Sequence, residues 1–133
     1  MTPIVLDASA GVEIALQTPI GRQIQAKLPV GATSWAPEHY YAEAVAVLRR
    51  LEMNRQYDPA RIQIALDRLL AAPIKRVLVK PLIPEAWPMR PNLTLGDALY
   101  VVVAQRLDAS LVTSDLKLAG APNLGVETIT PGP

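Results

Sequence analysis

The sequence predicts an α/β domain with a mostly parallel central sheet between two helical layers, a three-layer α/β/α sandwich. Short, wholly apolar segments of the kind that are buried on both faces of a parallel sheet alternate with longer segments of helical periodicity. Half of the 133 residues are apolar and 19% are charged, which is typical of a globular chain with its own core. We expect a single domain over residues 1–133.

Helix signals divide the first half of the chain. Ser9 is a residue type that caps helices, Pro19 is typical of a first helical position, and Asp58 followed by a proline combines both signals. After Pro37, apolar residues recur at helical spacing. The expected elements are a strand at 4–7, a helix after it, a helix at 20–28, a strand at 32–35, a helix at 38–53 and a helix that begins at residue 59.

The clearest signal in the second half is a capping pattern. Thr94 and Asp97 have the spacing of a capping box, with the shorter Asp in place of the usual Glu, so a helix should begin at residue 95. The apolar strand after this helix has Thr113 and Asp115 at its carboxyl end. The expected elements are a strand at 74–79, a short helix at 84–90, a helix at 95–107, and strands at 110–113 and 126–129.

Composition excludes several kinds of site. The chain has no cysteine, so disulfides and thiolate metal sites are impossible, and its one histidine, His39, argues against a multi-histidine zinc site. Any metal would be held mainly by oxygen, which favours Mg²⁺ or Mn²⁺. The net charge is only +1. No segment has the length of a membrane span or the pattern of a signal peptide, so we expect a soluble, cytoplasmic protein.

Four carboxylates occupy apolar surroundings. Asp7 and Asp115 close apolar strands, whereas Glu43 and Asp97 interrupt apolar helical patterns. Ionised acids are costly to bury unless they are paired or bound to a cation. Ligands of open α/β sheets bind beyond the carboxyl ends of the strands, where Asp7 and Asp115 should lie. A shared divalent cation, and with it phosphate chemistry, is therefore the interpretation that we favour.

Each acid taken singly also fits an ordinary structural role. An Asp after a strand is usually a helix cap or a turn residue, which would account for Asp7 and Asp115. Asp97 fits the far half of a capping box, and Glu43 fits a solvated helix position. The joint pattern carries more weight than any one member of it.

Four segments of the chain resemble a known family. They are Ile-Val-Leu-Asp-Ala-Ser-Ala at 4–10, Glu-Ala-Val-Ala-Val-Leu-Arg-Arg-Leu at 43–51, Asn-Leu-Thr-Leu-Gly-Asp-Ala-Leu-Tyr-Val-Val-Val-Ala at 92–104, and Leu-Val-Thr-Ser-Asp-Leu-Lys-Leu-Ala at 111–119. In this order and at these separations they look like PIN-domain ribonucleases, and most of all like the VapC toxins of bacterial type II toxin–antitoxin pairs.

The resemblance implies a site and a reaction. Asp7, Glu43, Asp97 and Asp115 match the family's four acidic positions, which bind Mg²⁺ or Mn²⁺ and serve an endoribonuclease that hydrolyses RNA with a metal-activated water. The products would carry a 5′-phosphate and a 3′-hydroxyl. Ser9 and Thr113 match hydroxyl residues that orient the acids or a water molecule. Nearby in sequence, the candidates for substrate contact are Arg90, Asn92 and Lys117.

The resemblance also implies partners. Proteins of this type usually form homodimers and bind a cognate antitoxin in a groove near the site. Here the helices over 10–28 and 38–53 would form that groove, with Val12, Leu16 and Ile24 on its surface; packing of the same residues in the core is the alternative.

Two other functions are compatible with parts of the pattern. A phosphatase or phosphoacceptor domain would use Asp7 as a nucleophile, but such sites often have a second acid two residues later, where this chain has Ser9. A PIN-fold binding module without catalysis would not need all four acids. For His39 we expect a structural role or a place at the rim of the site, and for Trp35 and Trp87 we expect packing rather than base stacking.

Overall fold

In the computed structural model, which describes residues 2–132, five strands form one parallel sheet. Met1 and Pro133, the end residues of the predicted domain, lie outside the described residues. The spatial order of the strands is β3-β2-β1-β4-β5, and every neighbouring pair is parallel. The strands are β1 Pro3–Leu6, β2 Thr33–Pro37, β3 Ile74–Val77, β4 Ser110–Val112 and β5 Thr128–Ile129.

The helices form two layers. Because crossovers between parallel strands are right-handed, the reversal of direction between β3 and β4 places the helices before β3 and those after it on opposite faces. The contacts agree: α1 packs on α2, α3 and α4, whereas α6 packs on α5 and on β1, β2 and β4. The α/β sandwich is confirmed. The helices are α1 Ala8–Leu16, α2 Pro19–Lys27, α3 Tyr40–Met53, α4 Pro59–Ala71, α5 Ile83–Ala86, α6 Leu95–Leu107 and α7 Leu116–Ala119.

Helix α6 forms the centre of the core. Its residues from Ala98 to Ala104 are all buried, since the helix is covered by the sheet on one side and by α5 on another. This explains why the segment is apolar nearly all round rather than along one stripe. In a chain without phenylalanine, Tyr40 and Tyr100 are the largest fully buried side chains.

Several local predictions were wrong. The strand predicted at 126–129 is confined to Thr128–Ile129, and the helix predicted at 84–90 is α5 followed by a 3₁₀ turn at Trp87–Met89. Ser9 does not cap α1, because the Asp7 carboxylate accepts the hydrogen bond from Ala10 N–H and the helix already begins at Ala8. The central helix begins at Tyr40 rather than at residue 38, because the N–H of Glu38 donates to the carbonyl of Val77 and extends the β2–β3 pairing. The strand predicted at 74–79 ends at residue 77.

The predicted lining of an antitoxin groove was also wrong. Val12 and Leu16 are each 3% exposed, and Ile24 is fully buried, so all three pack in the core.

None of the helices within residues 2–132 has the length and apolarity that a membrane span requires.

Candidate active site

The topology brings four helix and strand ends to one edge of the sheet. β1 and β4 are neighbours at the point where the strand order reverses, which is where open α/β sheets bind ligands. β2 ends at Pro37 just before α3 begins, so the first turn of α3 lies at this edge. α6 ends just before β4 begins, so its first turn lies there too. We call Asp7, Glu43, Asp97 and Asp115, which these four ends carry, the acidic cluster.

Asp7 is the buried member of the acidic cluster. It is only 4% exposed, and its Oδ1 accepts hydrogen bonds from Ala10 N–H at 2.9 Å and from Ser9 Oγ at 2.7 Å. Its Oδ2 accepts a short hydrogen bond from Thr113 Oγ1. Burial raises the pKa of Asp7; the three hydrogen bonds oppose the rise, and the charge of Asp97 adds to it. A cation at this position would relieve the cost of keeping Asp7 ionised.

Asp115 is the exposed member. It caps the short helix α7, where its Oδ1 accepts hydrogen bonds from the N–H groups of Lys117 at 3.0 Å and Leu118 at 3.2 Å. Its own N–H donates to Thr113 Oγ1 at 2.9 Å. Thr113 therefore touches both strand-end acids, since the same hydroxyl donates to Asp7. This is the placement expected of a group that orients carboxylates, and its role stays a prediction.

Ser9 joins the two strand ends from the other side. Its hydroxyl donates to Asp7, lies 3.3 Å from Thr113 Oγ1 and accepts a hydrogen bond from Ser114 N–H at 3.1 Å. The loop after β4 is thus tied to the first turn of α1, and the separation between Asp7 and Asp115 is set by these bonds.

Glu43 reaches the acidic cluster from α3. Tyr100 Oη donates to its Oε1 at 2.6 Å, and His39 Nε2 lies 3.3 Å from the same atom. The other oxygen, Oε2, lies over Gly96, where an added Cβ would be only 3.0 Å away. Glu43 is therefore held beside the first turn of α6, one residue from Asp97.

Asp97 is electrostatically coupled to every other member. Burial is the main cause that raises its pKa, and the charges of Asp115 and Glu43 raise it further, against the hydrogen bond with Thr94 and the influence of His39. Asp97 in turn raises the pKa of Asp7. The charges of Asp115 and Glu43 thus act on Asp97 and the charge of Asp97 acts on Asp7, in agreement with the topology, which brings the four acids to one edge of the sheet.

The donor chemistry fits a hard divalent cation. All four groups are carboxylates, and Mg²⁺ and Mn²⁺ prefer oxygen ligands. Within residues 2–132, however, no three acidic or histidine side chains stand close enough together to hold a metal ion as they are placed. Several oxygens are instead engaged in the hydrogen bonds described above. The carboxylate oxygens of the acidic cluster are of the type that binds this ion, and their side chains would have to change conformation to surround it.

The three candidates for substrate contact are exposed residues that lie close to Asp97 or Asp115 in the sequence. Arg90 and Asn92 are exposed on the turn before α6, and Lys117 is exposed next to Asp115. The guanidinium of Arg90 lies 4.4 Å from the ring centroid of Trp87 and donates to the carbonyl of Trp87 at 2.9 Å. Trp87 is 52% exposed, so packing does not account for all of its surface.

Sequence reasoning missed two neighbours of Glu43. His39 was expected to be structural, and Tyr100 was expected to be part of the apolar helix. The signal was their spacing: His39 lies four residues before Glu43, and Tyr100 lies three residues after Asp97, so each faces the site from its own helix.

The family of the chain follows from comparison with known proteins. The PIN domain model matches residues 4–124. Ribonuclease VapC12 of Mycobacterium tuberculosis is 34% identical over 116 residues, which cover 87% of this chain and 89% of the relative. The chain therefore belongs to the PIN-domain family. Within that family it groups with the VapC proteins.

Solved structures agree with the fold. PAE2754 from Pyrobaculum aerophilum superposes with a TM-score of 0.67 at 22% identity, covering 96% of this chain and 84% of that one. VapBC2 from Rickettsia felis, solved bound to a DNA fragment from its promoter, superposes with a TM-score of 0.64 at 17% identity, covering 98% of this chain and all of that one.

Proposed function

We propose that this protein is a metal-dependent endoribonuclease and the toxin of a toxin–antitoxin pair. The observation that carries the proposal is the acidic cluster: four carboxylates from four separate elements at the switch point of a parallel sheet, where the charges of Glu43 and Asp115 raise the pKa of Asp97 and the charge of Asp97 raises the pKa of Asp7. The relatives named ribonuclease VapC support the reaction class.

The site needs positive charge to act on RNA. A phosphodiester is anionic, and a bound Mg²⁺ or Mn²⁺ would offset the repulsion by the carboxylates and lower the pKa of the attacking water. Asp7, Glu43, Asp97 and Asp115 would hold the ion. Hydrolysis in line at phosphorus would leave a 5′-phosphate and a 3′-hydroxyl.

The hydroxyl groups near the strand ends keep the carboxylates in position. Ser9 donates to Oδ1 of Asp7 and Thr113 donates to Oδ2, so the orientation of this carboxylate is fixed before substrate arrives. Ionised Asp7, with both oxygens accepting hydrogen bonds and 4% exposure, is poorly placed as a nucleophile on a phosphate ester. The geometry favours the nuclease over the phosphatase.

Exposed basic and aromatic side chains offer contacts to single-stranded RNA. Lys117 and Arg90 supply positive charge for phosphate, and the exposed ring of Trp87 with Arg90 on it is a surface on which a base can stack. The chain carries 13 basic and 12 acidic side chains, so a cation at the four acids would leave a mildly basic surface.

The proposed partners are a cognate antitoxin and a second copy of this chain. VapBC2 from Rickettsia felis supports a toxin–antitoxin assembly, and we place the activity in the cytoplasm, where its RNA would be found. Co-purification with the product of the neighbouring gene tests the antitoxin. Sedimentation equilibrium of the pure protein tests the homodimer, which a monomer at all concentrations would contradict.

The central test is a cleavage assay on structured and single-stranded RNA with Mg²⁺ or Mn²⁺, with and without EDTA. We expect cleavage that EDTA abolishes and added Mn²⁺ restores. The matched control is Asp67→Asn, which changes an exposed carboxylate far along α4 and should leave cleavage unchanged. Cleavage that persists in EDTA, or none with either ion, would contradict the proposal.

A further inference from the structure

The environment of Glu43 assigns a role to two side chains outside the acidic cluster. We propose that Tyr100 in α6 and His39, the residue before α3, are positioning residues that tether the Glu43 carboxylate to the start of α6, and so preform one side of the cation site. This inference rests on the proposed function, because it concerns how the site binds its metal.

The hydroxyl of Tyr100 is the stronger half of the tether. Tyr100 is 1% exposed, whereas the side chain of Glu43 is 42% exposed, so a fixed buried donor holds a carboxylate that would otherwise be free to move in solvent. The 2.6 Å distance between Tyr100 Oη and Glu43 Oε1 is that of a charge-assisted hydrogen bond. The bond spans 57 residues and joins α3 to α6.

His39 forms the other half. Its Nε2 lies 3.3 Å from Glu43 Oε1 and 3.2 Å from the carbonyl oxygen of Gly96. Both neighbours are acceptors, so Nε2 carries the hydrogen; its hydrogen bond is to the Gly96 carbonyl, and Glu43 Oε1 is the second acceptor close to it. Within the described residues, Nδ1 is buried without a hydrogen-bond partner, which agrees with this tautomer. The imidazole also stacks against the Tyr100 ring, with centroids 4.8 Å apart.

The two contacts meet on one oxygen of the carboxylate. Oε1 receives Tyr100 and faces His39, while Oε2 lies over Gly96, which has no side chain to displace it. The tether therefore leaves Oε2 as the free oxygen, next to Asp97. Partners of this kind, which orient a ligand without touching the metal, typically contribute about 10- to 100-fold in metal affinity or activity.

The test is Mn²⁺ binding by isothermal titration calorimetry, alongside RNA cleavage at several Mn²⁺ concentrations. We expect Tyr100→Phe to weaken Mn²⁺ binding by about 10-fold, with cleavage recovering as Mn²⁺ is raised. Tyr40→Phe is the matched control, since Tyr40 is equally buried and also lies within reach of the Asp7 charge, but its hydroxyl packs against Gly11 and, within the described residues, donates to no carboxylate; it should bind Mn²⁺ as the unmodified protein does.

A second pair of variants tests His39. His39→Gln keeps an N–H near the position of Nε2 and should retain most of the Mn²⁺ affinity. His39→Leu has no such N–H and should bind Mn²⁺ more weakly. If Tyr100→Phe and His39→Leu bind Mn²⁺ as tightly as the control, the tether is refuted while the proposed function stands. If the unmodified protein itself binds no Mn²⁺, both proposals are refuted.

Discussion

The two strand-end acids have the same local structure and very different surroundings. Asp7 and Asp115 each follow a parallel strand, and each caps the helix after it. Asp7 is 4% exposed and holds three hydrogen bonds from protein donors, whereas Asp115 is exposed and uses one oxygen for two backbone donors. Helix capping therefore explains the position of both carboxylates, but it does not explain why Asp7 is buried. Since a buried ionised acid is costly without a cation, Asp7 is the stronger evidence for a metal site.

The largest difference between the two acids should appear in catalysis. Asp7→Asn keeps an oxygen for the Ala10 cap but removes the charge at the buried centre of the site. Since residues that merely orient a ligand contribute about 10- to 100-fold, we expect the loss of this carboxylate to reduce cleavage by more than about 100-fold. Initial rates on a short RNA in Mn²⁺ measure it. Full activity in Asp7→Asn would contradict the assignment of Asp7 to the active site.

The exposed acid should be less critical. Asp115→Asn preserves the cap of α7, because Asn is as good a capping residue as Asp. We expect cleavage to fall by about 10- to 100-fold, part of which higher Mn²⁺ should restore. The same initial-rate assay at increasing Mn²⁺ measures this. A loss as complete as that of Asp7→Asn would show that burial does not rank the two acids.

The glycine under Glu43 offers a steric test of the same ranking. A methyl group at residue 96 would lie 3.0 Å from Glu43 Oε2, so Gly96→Ala should push this exposed carboxylate aside. We expect Mn²⁺ affinity to fall by up to about 10-fold with little change in melting temperature. Asp67→Asn, which changes an exposed carboxylate on α4, is the control. Unchanged affinity would mean that the placement of Oε2 is not critical.

The sequence was sufficient for the fold class, because the fold class depends on local patterns, whereas the role of the four acids stays a prediction. Apolar strands, capping residues and helical periodicity are readable from short segments, and the four acids stood out against apolar neighbours. The hydrogen bonds among the acids were not readable, since Thr113 to Asp7 and Tyr100 to Glu43 join positions 106 and 57 residues apart. The burial of Val12 likewise depends on which helix covers it.

In the absence of metal, replacing Asp7 should raise the thermal stability of the protein, although the same change should strongly reduce cleavage. The folded-state pKa of Asp7 is raised above its ordinary value of 3.8, so its favourable contribution is complete below about pH 3.8 and is lost as the pH rises through the raised pKa. Without metal, Asp7→Asn should therefore melt about 3 °C higher near pH 7, and the gain should vanish towards pH 4. Thermal unfolding in EDTA across this range checks it, with Asp115→Asn as the exposed control. A gain that is independent of pH would contradict the assignment to ionisation.

The smallest effect should come from Trp87 and Arg90, which we propose to contact substrate without holding the ion. Trp87→Ala removes a half-exposed ring and the surface against which Arg90 is held. Stacking of a base on an aromatic side chain contributes about 1–3 kcal/mol, but only part of this ring is open, so we expect RNA affinity to fall by about fivefold. Fluorescence anisotropy of a labelled single-stranded RNA, bound to the inactive Asp7→Asn background, measures it without cleavage. Mn²⁺ affinity and sedimentation should not change. If sedimentation changes while RNA binding does not, the ring belongs to a protein interface instead, and substrate recognition has to be sought around Lys117.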